Sequence, residues 1–243
     1  MPEQLRPPTA LPPRAALLLD LDGTLLDIAP TPDAVRVPAG LPATLIRLRT
    51  ALDEALAIVT GRPPEQVDAL LPGVAHAVAG EHGGALRYGP GAAVDRAPLP
   101  AVRDSWLDAA AGLVAAHPGA LLERKAHGFA LHYRLAPEAG PSLERGLLAL
   151  LDGEDSHSLL RAHMAYEVKP RGADKGLAVG ALMARMPFAG RVPVYIGDDV
   201  TDEDGIRAAQ AAGGLGLRVA DSFGDAAGVR AWLARLAERV EVG

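Results

Sequence analysis

The sequence contains no cysteine. Disulfides, thiolate nucleophiles and cysteine-ligated zinc or iron–sulfur centres are thereby excluded. It has no apolar run near the roughly 18 residues that would suggest a membrane span. Nor does it carry a basic block: the formal net charge is -6, with acids and bases intermixed along the chain. A nucleic-acid partner normally requires a basic face, so that class is not expected. An anionic ligand would instead have to be met by a local cluster of cations or by a metal. No internal repeat or coiled coil is evident. The opening MPEQLRPPTALPPR is rich in proline and lacks an apolar signal region, so residues 1–14 are expected to form a flexible arm on a cytoplasmic protein.

What is present fits one large α/β domain, or a core with an inserted subdomain: 243 residues, 49% of them hydrophobic and 22% charged. Five short apolar runs, Ala15–Leu19, Ala55–Val59, Val74–Ala79, Val192–Ile196 and Leu215–Val219, suit buried parallel strands. Most end in a polar cluster. Between them Ala43–Leu56 has leucines at helical spacing. Thr201–Ala212 opens with Thr201 and Asp204 in capping-box spacing, and Val229, Trp232, Leu233, Leu236 and Val240 form one stripe of a last helix. Strands alternating with helices imply an open sheet whose ligands bind beyond the carboxyl ends of the strands. The stretch from about Tyr88 to Val168 breaks this alternation, with helix-like segments at Leu99–Ala116 and Leu143–Leu151 and strand-like ones near 121–135 and 158–168. It reads as an α+β insertion at 88–168 in a core of 15–87 and 169–243.

Chemistry concentrates at the strand ends. Asp20 and Asp22, in Asp20-Leu21-Asp22-Gly23-Thr24-Leu25, follow the first run. A carboxylate in Asp20's place can attack phosphorus, and one in Asp22's place can protonate the leaving alcohol and then deprotonate water. Taken alone, the pair could equally be turn formers or caps. The acids of Gly197-Asp198-Asp199-Val200-Thr201-Asp202-Glu203-Asp204 would repel one another without a cation, and their oxygens suit Mg²⁺. Asp198 is the expected direct ligand, with Asp199 or Asp202 behind it; Glu203 and Asp204 read as ordinary acids of a helix N-terminus. Thr60, in Thr60-Gly61-Arg62, offers a hydroxyl to a phosphate oxygen, and Lys175 can neutralise the transferring phosphoryl group.

In their order, these four clusters resemble the haloacid dehalogenase superfamily of phosphotransferases. That resemblance implies a Rossmann-type parallel core with an inserted cap that covers the site. Asp20 is then nucleophile and Asp22 acid/base. Mg²⁺ is held by Asp20, the backbone carbonyl of Asp22 and Asp198, while Thr60 and Lys175 bind phosphate. The candidate metal set is Asp20, Asp22, Asp198, Asp199 and Asp202. Five further motifs, Glu81-His82-Gly83-Gly84, Glu123-Arg124-Lys125, Leu131-His132-Tyr133-Arg134, Glu167-Val168-Lys169-Pro170 and GDDVTDED, resemble the trehalose-6-phosphate phosphatase family over about residues 15 to 220. The resemblance places Arg62, His82, Glu123, Lys125, Arg134 and Glu167 as substrate-binding residues, and implies a Mg²⁺-dependent phosphatase acting on trehalose 6-phosphate. The sequence does not itself fix the oligomeric state; a monomer is the default expectation. Cap-surface salt bridges are the plainer reading of the cap charges. Ala165 stands where another polar group is expected, and His127, His157 and His163 have no metal-like spacing. Another sugar phosphate, such as sucrose phosphate or a mannosyl-phosphoglycerate, or a non-catalytic sensor, are the alternatives.

Overall fold

The structure is a computed structural model that describes residues 7–240. The chain forms two compact units. The first opens with β1 (Ala15–Leu19), α1 (Leu41–Ala51), β2 (Leu56–Val59), α2 (Pro64–Leu70), β3 (Ala77–Gly80), β4 (Ala85–Arg87) and β5 (Asp95–Arg96). The second, Pro98–Ala173 with Pro30–Ala34, holds α3 (Asp104–Ala115), β6 (Leu121–Arg124), β7 (Phe129–His132), α4 (Gly140–Leu150), β8 (His157–Ala162) and β9 (Ala165–Pro170). The chain then returns to the first unit through α5 (Lys175–Met183), β10 (Val192–Gly197), α6 (Asp202–Ala211), β11 (Leu215–Arg218), α7 (Val219–Ser222) and α8 (Ala226–Val240). Among the described residues no helix is long and apolar enough to cross a membrane.

The first sheet runs β11-β10-β1-β2-β3-β4-β5. Its first five strands are parallel, and β4 and β5 extend it antiparallel. β1 is buried on both faces, and alternation divides its side chains between two cores. Ala15, Leu17 and Leu19 pack with Leu45 and Leu48 of α1 and with Val229, Trp232 and Leu233 of α8. Ala16 and Leu18 pack with Val179 and Leu182 of α5 and Ile206 and Ala209 of α6. The unit is therefore a doubly wound α/β sandwich, which is the fold class expected. The chain leaves β1 toward β2 on one side and returns as β10 on the other, so the sheet's switch point lies between β1 and β10.

The second unit is an antiparallel sheet, β6-β7-β9-β8, with α3 and α4 on one face. Phe129 and Leu131 of β7 and Tyr166 and Val168 of β9 point to those helices, where they meet Trp106, Leu107, Leu143 and Leu147. Alternation turns Ala130, His132 and Glu167 to the opposite face.

Several local expectations change. The helix expected over Ala43–Leu56 stops at Ala51, because Asp53 and Glu54 turn left-handed at φ 47° and 71° to deliver the chain into β2. Thr201 makes no capping bond and is itself helical, so the capping box is absent. β5 lies inside the expected insertion yet pairs with β4 of the first sheet. Of the proline-rich arm, residues 1–6 lie outside the described residues. Its later part is held, since the Pro8 carbonyl accepts a 2.7 Å bond from Trp232 Nε1 and Leu11 packs on the core. The side chain of Val240, expected on the α8 stripe, lies outside the described residues.

Candidate active site

Register brings the site together. Leu19 of β1 pairs with Ile196 of β10 and with Ile58 of β2, so Asp20, Asp198 and Thr60 all leave the same edge of the sheet, beside the switch point. The Asp20 N–H donates to the Ile196 carbonyl at 2.9 Å and locks the nucleophile candidate to the neighbouring strand. Gly23 makes the turn after it at φ 81°; a Cβ there would lie 2.1 Å from Asp198 Oδ2, so only glycine lets the two acidic loops meet. Thr24 Oγ1 donates to Asp198 Oδ1 at 3.3 Å.

Lys175 is buried at the first turn of α5, whose N-terminus is capped by Asp174 accepting from Leu177 N–H at 2.7 Å. Its ammonium donates to Asp20 Oδ1 and to Asp202 Oδ1, each at 2.7 Å. The two carboxylates hold Lys175 firmly charged, well above the usual lysine range, despite its burial. Burial first, then Asp202 and Asp198, push the Asp20 carboxyl above the ordinary range, while Lys175 pulls it back. Partial burial, Asp202 and Asp199 push Asp198 up to about 6.

Asp202 is fully buried and saturated. Oδ1 accepts from Lys175 and, at 2.6 Å, from the Tyr195 hydroxyl; Oδ2 accepts the N–H groups of Asp198 and Asp199 at 3.1 and 3.0 Å. Four donors use the lone pairs that a carboxylate offers. Asp202 therefore does not fit the expected metal-ligand role, although its oxygens lie within 4.8 Å of those of Asp20 and Asp198. Asp199 accepts from Val200 N–H at 2.7 Å through Oδ1.

Three carboxylates around one ammonium leave an excess of negative charge, with Asp20 and Asp202 buried and Asp198 at the exposed side. Asp20 and Asp198 present hard oxygens there, which fits a divalent cation. Thr60 is buried, and its hydroxyl oxygen accepts Arg62 N–H at 3.2 Å, an arrangement that leaves its hydrogen for an anion. Arg62 sends its side chain to Asp22: Nε donates to Oδ2 at 2.6 Å and a terminal nitrogen to Oδ1 at 2.8 Å. Next to this loop Glu81 and His82 hold left-handed backbone at φ 52° and 55°. That strain is fixed by His82 N–H on the Thr60 carbonyl and Glu81 N–H on the Arg62 carbonyl, at 3.0 and 3.1 Å. The His82 ring lies over Gly61, where a Cβ would approach Nε2 to 2.7 Å.

In the second unit, Glu123 and Glu167 flank Ala130 in one cross-strand row, on the face away from α3 and α4. Lys125 pairs with Glu167 at 2.8 Å, and His132 with Glu123 at 2.8 Å. Glu123 is held below the ordinary carboxylate range: burial raises it most, but the His132 bond and Lys125 together outweigh that. Arg134 stands apart from this row, donating to the His163 carbonyl at 3.3 Å. His157 is buried against Trp106 and bonds the His127 carbonyl at 3.0 Å, a packing role.

Sequence reasoning gave no role to Tyr195, Thr24 or His132. Strand alternation places His132 on the face of Glu123, and that signal alone would have found it.

The family model for trehalose-phosphatase matches residues 18–225. The probable trehalose-phosphate phosphatase of Sinorhizobium fredii is 42% identical over 205 residues, 84% of this chain and 77% of its own length. The trehalose-6-phosphate phosphatase of Escherichia coli is 37% identical over 220 residues, 90% and 82% of the two chains. The fold matches the C-terminal domain of the C. albicans trehalose-6-phosphate phosphatase with a TM-score of 0.77 at 21% identity, covering 93% of this chain and 92% of that one. The chain belongs to the trehalose-phosphatase family.

Proposed function

We propose that this protein hydrolyses trehalose 6-phosphate to trehalose and phosphate, with Asp20 as nucleophile. The observation that carries this reading is the meeting of Asp20 and Asp198, at adjacent strand ends, with Lys175 of the first turn of α5 on Asp20, in a chain of the trehalose-phosphatase family. Asp20 attacks phosphorus as the bond to the sugar O6 breaks, and Asp22 delivers the proton that the departing oxygen needs. A water then attacks the aspartyl-phosphate, passing its proton to Asp22, and phosphate leaves. Lys175 and the Thr60 hydroxyl hold the phosphoryl oxygens throughout. Asp202 and Tyr195 hold Lys175 and the Asp198 loop in place.

Mg²⁺ would be held by Asp20, Asp198 and the main-chain carbonyl of Asp22, where it would supply charge neutralisation for the transferring phosphoryl group. In the second unit, the row of Glu123, Lys125 and Glu167 offers both acceptors and donors to sugar hydroxyls, with His132 fixing Glu123. Arg134 of the second unit and His82 of the first are each proposed as a hydrogen-bond donor to the substrate.

A panel of trehalose 6-phosphate, sucrose 6-phosphate, a mannosyl-phosphoglycerate and glucose 6-phosphate tests the substrate. The expected result is a kcat/KM for trehalose 6-phosphate at least about 100-fold above the others, as hydroxyl-directed recognition allows. Preference for another sugar would retain the chemistry and overturn the substrate. Tight binding without turnover in Mg²⁺ would make the protein a sensor.

A further inference from the structure

The proton donor proposed above is not a free side chain. Both oxygens of Asp22 are gripped by the guanidinium fork of Arg62, at 2.6 and 2.8 Å, with both residues in the first unit. The arginine is the fixed member of the pair. Its side chain is 13% exposed against 36% for Asp22, and a second terminal nitrogen reaches Gln66 Oε1 at 3.3 Å. Its backbone is pinned as well, by the Thr60 hydroxyl on its N–H and by Glu81 N–H on its carbonyl. The strained Glu81–His82 turn, the phosphate-binding loop and Asp22 are thus joined through one residue.

From sequence Arg62 was expected to contact substrate. We infer that Arg62 is instead a positioning residue for Asp22, setting the plane and direction in which its carboxyl group meets the leaving oxygen. This inference rests on the proposed hydrolytic reading and adds to it a residue that acts through the acid rather than on the sugar. A bidentate pair fixes a carboxylate in orientation as well as in place, whereas a lysine fixes only a point of charge. Each oxygen of Asp22 keeps one lone-pair direction outside the fork. Those two directions are the ones left for proton transfer, so losing the fork would misdirect the acid without removing it.

Leaving-group chemistry separates this role from the other two that an arginine here could have. An alkyl phosphate needs its departing oxygen protonated; p-nitrophenyl phosphate releases p-nitrophenolate, a stable anion that needs little help. The experiment measures kcat/KM, which reports the step in which the alcohol departs and not the shared hydrolysis of the aspartyl-phosphate, on trehalose 6-phosphate and on p-nitrophenyl phosphate, at saturating Mg²⁺, for wild type, Asp22→Asn, Arg62→Lys and the double variant. Arg62→Lys is expected to lower the alkyl-to-aryl ratio of kcat/KM by at least about tenfold, and to add less than about threefold to the alkyl loss of Asp22→Asn. Arg62→Gln, which keeps neutral donors at the same place, tests the same ratio in a second background and is expected to lower it too. An unchanged ratio in both variants, with equal losses on both esters, would overturn the inference and leave Arg62 a phosphate or packing residue. So would a full additional loss in the double variant. Any alkyl phosphate that the enzyme turns over serves for the alkyl arm, so a mistaken sugar would show in the substrate panel and not in this ratio.

Discussion

Asp202 carries more of the site than its number of possible ligands suggests. Its two oxygens hold the ammonium of Lys175, the hydroxyl of Tyr195 and the N–H groups that shape the Asp198–Asp199 turn. Replacing it with asparagine would put an N–H₂ group against donors and strip a buried lysine of one counter-charge. Removing one partner of a buried ion pair costs about 3–5 kcal/mol, and Asp20 remains to share the lysine, so the lower end is expected for Asp202→Asn. Tyr195→Phe removes a single donor from an oxygen that keeps Lys175, and should cost about 1 kcal/mol. Urea denaturation of both variants checks the order. A Tyr195→Phe loss as large as that of Asp202→Asn would show that the hydroxyl, not the lysine, is what the aspartate is there to hold. The same network fits Asp202 to the place behind Asp198 that the sequence suggests for it. Sequence displays how many carboxylates stand at a strand end but not which donors they face.

At the scale of elements, the legible parts were those set by one face or one strand end. The run Ala15–Leu19 coincides with β1 because buried parallel strands tolerate no polar side chain, and its end marks the nucleophile candidate. The α1 boundary was misread since Leu52, Ala55 and Leu56 continue an apolar pattern; the left-handed pair Asp53–Glu54 that stops the helix carries no glycine to announce it. Arg62 is legible as part of a site, but its neighbour is not: a guanidinium serves a carboxylate and a phosphate equally well, and nothing in the sequence brings Asp22, forty positions earlier in the chain, within its reach. In the second unit, alternation could have joined His132 to Glu123, but the tight turn between β6 and β7 could not be seen. There Gly128 lies so close to β9 that a Cβ would stand 2.2 Å from the Val168 carbonyl oxygen. Gly128→Ala must push two backbones apart beside Lys125. It should destabilise the protein by about 2 kcal/mol or more, and raise KM for the sugar phosphate more than it lowers kcat. Thermal unfolding together with steady-state kinetics checks both; wild-type stability and KM would mean that the turn gives way at no cost.

For the whole molecule, the excess of acid at the switch point fits a divalent cation, and the folded state is expected to bind one before any substrate arrives. Asp20, Asp198 and Asp202 crowd within 4.8 Å, and Lys175 balances only part of their charge. A cation that binds the folded chain alone raises its stability by mass action, by about 2.7 kcal/mol at 100 times its Kd. Mg²⁺ is therefore expected to raise Tm in wild type and to leave Asp198→Asn unmoved. In the absence of metal, Asp198→Asn should match or exceed the wild-type Tm, because it relieves repulsion. Protons compete for the same oxygens. With Asp198 pushed up to about 6, the Mg²⁺ shift should shrink as pH falls through that value and remain full above it. Differential scanning calorimetry at pH 7.5 and pH 5, values chosen about a unit or more either side of that midpoint, reads each of these. An undiminished shift in Asp198→Asn would place the cation elsewhere.

Phosphate release from trehalose 6-phosphate tests the account most directly, measured for wild type and Asp20→Asn, each with Mg²⁺ and with EDTA. Release that needs the metal and falls by at least about a thousandfold in Asp20→Asn is the expected result, since the substituted side chain cannot form the acyl phosphate. Undiminished release by Asp20→Asn would contradict the assignment of the nucleophile and, with it, the mechanism built around the β1 strand end.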